Sequence, residues 1–148
     1  MSTLLRVIVS SLAAVVTAAV LACFAATQFT LAGLSNFGMD VSIADRISAT
    51  VHDIIGMGPP YMAVIGVGFL IAFAFTALLL RWAPGSRGLW FSVSGAAAIV
   101  AAILIIKYFL GGTIIGAARS PLGLACQGLA GAAGGWLFAQ ILPRRNLT

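Results

Sequence analysis

The side chains of this sequence that could do chemistry are few and scattered. The 148 residues include eight basic side chains, three acidic ones and one histidine. One amide, Gln127, adds a polar group to an apolar stretch near the end of the chain. The candidates for binding a ligand or a partner are Asp45, His52, Asp53, Lys107, Arg119 and Gln127.

The adjacent pair His52 and Asp53 could bind a metal ion or sense pH, because histidine titrates near neutrality. Adjacent residues of a helix point in different directions, and two ligands are too few for a stable metal site. A solvated or partner-facing polar surface is the favoured interpretation. We predict neither a metal nor a cofactor for this chain.

Lys107 is the only ionisable residue inside a predicted membrane span, and a charge inside a membrane is a functional candidate by default. It lies three residues from the predicted end of its helix, about 4.5 Å along the axis, so its amine can reach the interface. An interfacial anchor is therefore favoured. If the helix continued past Gly112, Lys107 would lie deeper and could share a site for an anionic headgroup or substrate with Arg119.

Several membrane enzyme and transporter classes are excluded by missing residue types. One histidine in a loop cannot supply the two axial ligands of a membrane b-type haem. Cys23 and Cys126 are far apart in sequence, which argues against disulfide exchange and favours two buried apolar residues. No predicted span contains a carboxylate, whereas ion-coupled transporters usually have one inside the membrane. We predict no catalytic residue and favour a protein that is not an enzyme.

Cys23 has a second interpretation. Residues 20 to 23, VLAC, are similar to the cleavage box of a bacterial lipoprotein, in which the cysteine is lipidated. The sequence stays apolar from Phe24 to Leu34, whereas a lipoprotein normally turns polar after its cysteine. The same long apolar run favours an uncleaved first helix over a signal peptide, whose apolar region is about 7 to 15 residues.

Composition predicts an all-α, multi-pass membrane protein with a single transmembrane domain covering residues 1–148. Hydrophobic residues make up 61% of the chain and charged residues only 7%, far from the balance of soluble proteins. The net charge of +5 comes from dispersed basic residues, which form no stripe for nucleic acid. We predict an antiparallel bundle of four membrane-spanning helices, at residues 7–34, 61–80, 89–110 and 122–142.

Small residues at helical spacing predict where the helices pack. In the last span, Gly131 and Gly135 form a GxxxG pair, a common contact motif in membranes. The first span carries a matching ridge of small residues and is its predicted mate. The predicted packing positions are Gly123, Gly131 and Gly135 in the last span and Ala14, Ala18 and Ala22 in the first. Gln127 lies on the glycine ridge, where a hydrogen bond between helices is favoured over lining a polar pathway.

The loop at residues 35–60 carries all three acidic residues and the histidine. Ser42 and Asp45 have the spacing of a capping box, which predicts that a helix starts there. Apolar residues from Ile43 onwards recur on one side, and Gly56 can end the helix. The predicted helix, at residues 42–55, is too short to span a bilayer. We expect an amphipathic helix on the membrane surface or over the bundle.

Basic residues next to the spans predict the orientation. Five lie on one side, against Arg46, Lys107 and Arg119 on the other. Cytoplasmic loops carry the excess of basic residues, so we predict that both termini are cytoplasmic and that the membrane is a bacterial inner membrane. The five are Arg6, Arg81, Arg87, Arg144 and Arg145. Residues 111–121 are predicted to form either a plain loop or a segment that dips back into the bilayer.

Two functions are compatible with these features. The favoured one is a non-catalytic subunit or assembly factor of a larger membrane complex, with the acidic loop helix offered to a partner. The alternative is a small oligomeric transporter or channel for a lipid or small solute, with its pathway between copies. The predicted partners are the lipid bilayer and another membrane protein or further copies of the chain. The polar groups of such a pathway would be Thr76, Ser92, Ser94, Lys107 and Gln127.

Overall fold

The computed structural model describes residues 3–82, 85–110 and 120–142, and these residues contain five helices and no strand. Four of the helices are long and apolar enough to cross a membrane, which confirms the predicted number of long apolar helices. The exception is the short second helix. The helices are α1 (Thr3–Asn36), α2 (Ile43–Gly56), α3 (Gly58–Leu79), α4 (Arg87–Leu110) and α5 (Pro121–Ile141).

Helix α2 begins with the capping box expected from the sequence. The Ser42 hydroxyl accepts a hydrogen bond from the Asp45 backbone N–H over 3.2 Å. A carboxylate oxygen of Asp45 accepts in return from the Ser42 hydroxyl at 2.6 Å and from the Ser42 N–H at 3.0 Å. Hydrogen bonds from the Ser42 hydroxyl and backbone hold the pKa of Asp45 below its ordinary value, because they stabilise the charged carboxylate.

Helices α2 and α3 follow one another with a single residue between them. The Met57 N–H donates to the Asp53 carbonyl at the end of α2, and the Met57 carbonyl accepts from the Tyr61 N–H at the start of α3. Pro59 and Pro60 lie inside the first turn of α3, so this helix begins three residues before the predicted span. A first turn tolerates proline because its N–H groups have no partner within the helix.

Helix α5 packs against both α1 and α4, while α3 packs against α4 and α1. Four phenylalanines hold α3, α4 and α5 together near one end. The ring centroids of Phe69 and Phe73 are 4.6 Å apart, and Phe138 of α5 lies 4.5 Å from Phe73 and 4.9 Å from Phe91. All four rings are buried. Tilted aromatic pairs at these distances attract one another beyond the area they bury.

The glycine ridge of α5 faces α4. A Cβ atom added at Gly131 would collide with the backbone carbonyl of Gly95, and one added at Gly135 would collide with the carbonyl of Phe91. The two backbones are therefore closer than any side chain allows. The predicted mate of α5, α1, does pack against it, through Gln127 of the ridge and through a neighbouring face, while Gly131 and Gly135 meet α4.

The face of α5 toward α1 is centred on Gly134. A Cβ atom at Gly134 would lie 2.7 Å from the Ala14 carbonyl oxygen and 2.9 Å from the Cβ atom of Ala18. Ala14, Ala18 and Ala22 are fully buried, and Gly123 is buried in the first turn of α5. Residues 134 and 135 lie roughly 100° apart on a helix with 3.6 residues per turn, so neighbouring glycines serve two different partner helices.

Candidate functional site

Gln127 lies at the junction of three helices and is fully buried. Its side-chain nitrogen donates to the backbone carbonyl of Ala22 in α1 over 2.9 Å. Its side-chain oxygen accepts from the Tyr61 hydroxyl of α3 over 2.8 Å. Both ends of the amide are thus bonded to protein, which is the arrangement expected of a link between helices inside a membrane.

A second polar contact joins α1 to α2. The Thr27 hydroxyl donates to a carboxylate oxygen of Asp53 over 2.7 Å and also lies 3.0 Å from the Cys23 carbonyl oxygen. Thr27 is only 2% exposed, whereas Asp53 is partly exposed. The bond to a charged acceptor is stronger than one between neutral groups, so it fixes this side of α2 on α1.

Gln28 extends this contact along α2. A guanidinium nitrogen of Arg46 donates to the side-chain oxygen of Gln28 over 3.0 Å, and the Gln28 amide nitrogen donates to the Thr50 hydroxyl over 3.3 Å. The Thr50 hydroxyl also donates to the Arg46 carbonyl at 2.7 Å. Arg46, Thr50 and Asp53 follow helical spacing, so one polar face of α2 rests on two consecutive residues of α1.

Four large apolar residues of α2 are left exposed, whereas Ile54 is half-buried. We call Ile43, Ile47, Val51 and Ile55 the apolar stripe of α2; they recur every fourth residue and share one side of the helix. They are 77%, 62%, 51% and 71% exposed, and no residue of α2 is buried. Nothing in the described part of the chain covers this stripe.

The remaining candidate residues do not join these contacts. His52 and Asp45 are exposed. Within the described ranges no group of three histidine, cysteine or acidic residues could hold a metal ion. Lys107 lies exposed in the last turn of α4.

Parts of two predictions lie outside the described residues. Arg119, and with it the site it was predicted to share with Lys107, falls in the range 111–119. The prediction that residues 111–121 form either a plain loop or a segment that dips back into the bilayer also concerns mainly this range. Arg144 and Arg145, which contribute to the predicted orientation, are outside the described ranges as well.

Sequence reasoning missed most of the polar contacts that the structure shows. Tyr61 is not among the predicted site residues, although it is a partner of Gln127. Thr27 and Gln28 are adjacent polar residues in a long apolar helix, and that pair is the signal that could have identified the α1 side of the contact. On α2 the signal is the spacing of Arg46, Thr50 and Asp53.

No protein-family model, curated protein or solved structure matches this chain.

Proposed function

We propose that this protein is a non-catalytic subunit or partner-binding factor of a membrane complex, and that the apolar stripe of α2 contacts the partner. The observation that carries the proposal is the orientation of α2. Its polar face is bonded to α1 through Thr27 and Gln28, and its apolar stripe is exposed. A helix held in this way exposes apolar side chains at every fourth residue. Amphipathic helices use apolar side chains at this spacing to bind in apolar grooves of partner proteins.

The interior of the bundle supports a structural role. Gln127, the buried polar group between three spans, has protein partners at both ends. The four phenylalanines fill the space between α3, α4 and α5 toward the other end. Both features favour a packed scaffold over a polar pathway through one chain.

We also propose how the chain is oriented in the membrane. The four spans alternate in direction as an antiparallel bundle, both termini are cytoplasmic, and α2 lies at the opposite face of a bacterial inner membrane. The test is labelling from outside the cell with a membrane-impermeant thiol reagent, in a background with Cys23→Ala and Cys126→Ala. Ser48→Cys should be labelled and Ser86→Cys should not; the reverse pattern would invert the topology.

The partner is tested by purification in a mild detergent followed by mass measurement of the intact assembly. The wild-type chain should carry a constant second polypeptide, and Ile47→Asn with Val51→Asn should release it. Ser48→Asn introduces the same side chain at an exposed polar position of the same helix and should retain the partner. A chain that is isolated only with lipid would contradict the proposal, as would a homo-oligomer that conducts a solute in liposomes.

A further inference from the structure

We propose that the partner of the apolar stripe is itself embedded in the membrane and packs a spanning helix into the corner where α2 crosses α1. This assignment rests on the function proposed above and makes the contact surface of the partner an apolar membrane helix instead of a water-soluble domain. The corner is bounded by the apolar stripe of α2 and by exposed apolar side chains of α1.

Helix α2 crosses α1 and does not run along it. Arg46 and Asp53 lie about 10 Å apart along the axis of α2, at 1.5 Å per residue. Their partners Gln28 and Thr27 are consecutive residues of α1, only about 1.5 Å apart along its axis. Since α1 is long and apolar enough to stand across a bilayer, α2 lies close to the membrane plane.

The residues of α2 form three rows around the helix. Arg46, Thr50 and Asp53 face α1. The apolar stripe lies roughly 110° from this row in one direction, and a polar row lies about 130° from it in the other. We call Asp45, Ser48 and His52 the polar row of α2; all three are exposed.

The stripe and the polar row therefore point along the membrane normal in opposite directions, because α2 lies across α1. A carboxylate is costly to place in hydrocarbon, so the polar row with Asp45 faces water. The apolar stripe then faces into the leaflet, at the level where spanning helices of other proteins end.

The side of α1 beneath the crossing is apolar and exposed. Phe24 lies one helical turn before Gln28, and Val20 lies one turn further from the crossing. Phe24 is 52% exposed and Val20 is 36% exposed. Together with the stripe, these two side chains form the apolar corner, which is open toward the outside of the bundle.

The dimensions of the apolar corner fit a helix. From Ile43 to Ile55 the stripe is about 18 Å long, and a helix with its side chains is about 10 to 12 Å wide. The stripe is long enough to cover the end of a second helix that stands beside α1. Such a helix contacts Val20 and Phe24 with its side and the stripe with its last turn.

The composition of α2 favours a protein over lipid in this corner. Helices that bind to a lipid surface carry lysine and arginine on the polar face and often tryptophan or phenylalanine on the other. The polar row of α2 has a carboxylate instead, and Arg46, the one basic residue of this helix, is half-buried and donates to Gln28. The stripe consists of isoleucine and valine, whose stiff side chains lose little freedom when they pack against a fixed surface.

Site-specific photo-cross-linking in intact membranes tests the assignment, with p-benzoylphenylalanine placed at one position at a time. The probe in place of Ile47 and the probe in place of Phe24 should join the chain to the same second polypeptide. The cross-linked peptide of that polypeptide should belong to an uncharged run of about 20 residues, as a spanning helix does. In the background Ile47→Asn with Val51→Asn, the cross-link from position 24 should be lost.

Two positions serve as matched controls. Ser48 is an exposed residue of the polar row next to Ile47, and the probe there should not join this polypeptide. Leu129 of α5 is 69% exposed and lies within about one turn of the depth of Phe24, since Gln127 is bonded to Ala22. The probe in place of Leu129 should join lipid only.

The outcomes separate this assignment from the function on which it rests. A cross-link from position 47 to a polypeptide without such an uncharged run, with none from position 24, would overturn the membrane helix and leave the partner of α2 standing. Lipid alone at both positions would overturn both proposals. A cross-linked product of twice the mass of the chain would assign the corner to a second copy, and equal protein cross-linking at positions 24 and 129 would overturn the corner as a site.

Discussion

The hydroxyl of Thr27 donates to the carboxylate of Asp53 across 2.7 Å, and this contact determines which face of α2 rests on the bundle. Arg46 and Thr50 extend this polar contact through Gln28. The four residues of the apolar stripe of α2 are left exposed, and only Ile54 among the large apolar residues is half-buried. The polarity of α2 is thus the reverse of that of a surface helix on a soluble protein, whose apolar side faces inward.

Thr27→Val keeps the shape of the side chain and removes the donor to Asp53. The loss should weaken the attachment of α2 by about 1 to 2 kcal/mol, because the bond has a charged but partly solvated acceptor. Amide hydrogen exchange in α2 should become roughly ten-fold faster or more, as expected for a loss of about 1.4 kcal/mol in local stability.

Thr30→Val is the matched control for this change. The Thr30 hydroxyl is exposed and donates only to the Ala26 carbonyl of its own helix, over 2.9 Å. Exchange in α2 should therefore remain at the wild-type rate. Equal rates in the two valine variants would show that the contact with Asp53 does not hold α2.

The bond between Tyr61 and Gln127 should be measurable in a double-mutant cycle. Tyr61→Phe and Gln127→Leu each break it, and the coupling should be about 0.6 kcal/mol and at most about 1.7 kcal/mol, the mean and the maximum found for hydrogen bonds between helices in membranes. Gln127→Leu should cost more than Tyr61→Phe, since it also removes the hydrogen bond to the Ala22 carbonyl of α1. Reversible unfolding from mixed detergent measures these differences.

Tyr108→Phe removes the same hydroxyl from a tyrosine that is 84% exposed, and it should change stability by less than about 0.5 kcal/mol. A coupling near zero between Tyr61 and Gln127 would mean that the amide does not link α3 to α5.

The contact between α4 and α5 depends on the missing side chain at Gly131. Gly131→Ala would place a methyl group against the Gly95 backbone and within 3.1 Å of an Ile99 methyl, so the helices must separate. We expect a loss of roughly 1 to 3 kcal/mol, as for overpacked cores, measured by unfolding in detergent. At Gly66 an added methyl meets nothing within 4 Å, so Gly66→Ala should be neutral or stabilise the helix by up to about 1 kcal/mol. Equal effects at both glycines would refute the close approach.

The start of α2 should depend on pH through Asp45. Its pKa is lowered in the folded helix by the hydrogen bonds from Ser42, so the carboxylate stabilises the capping box above its ordinary pKa of 3.8. That stabilisation is lost as the pH falls through the lowered folded value. Acidification below pH 4 should therefore lower the protection factors of the amides in the first turn of α2, measured against the intrinsic exchange rate at each pH. The same amides should respond less to pH over this range in the Asp45→Asn variant. An identical response in the variant and the wild type would exclude the Asp45 carboxylate as the cause.

The four spans and the start of α2 could be predicted because they depend on local features. Uncharged runs of about 20 residues suffice to identify spans, and the spacing of Ser42 and Asp45 identifies the cap. Helix partners could not be assigned in this way. Ser94, Ala98 and Ala102 of α4 are small residues at spacing four, and they lie on the side toward α3, whereas Gly95 on another face receives α5. Small residues permit close contact on several faces, and hydropathy does not distinguish lipid from a neighbouring helix.

The orientation of α2 could not be predicted for the same physical reason. In water an apolar stripe would turn toward the protein, but next to a bilayer it gains as much from lipid or from a partner. The polar residues then decide, and their partners Thr27 and Gln28 are on another helix, at least 18 residues away in sequence. The Tyr61 and Gln127 pair is separated by 66 residues and is likewise set only by the fold.

The most direct test of this account is disulfide formation between α1 and α2 in membranes, in a background with Cys23→Ala and Cys126→Ala. Thr27→Cys combined with Asp53→Cys should oxidise to an intramolecular disulfide, detected by mass spectrometry of the joined peptides. Thr27→Cys combined with Val51→Cys should stay reduced, because Val51 lies on the exposed stripe. A disulfide at 27 and 51 with none at 27 and 53 would show that α2 turns its apolar side to the bundle, and would contradict the account.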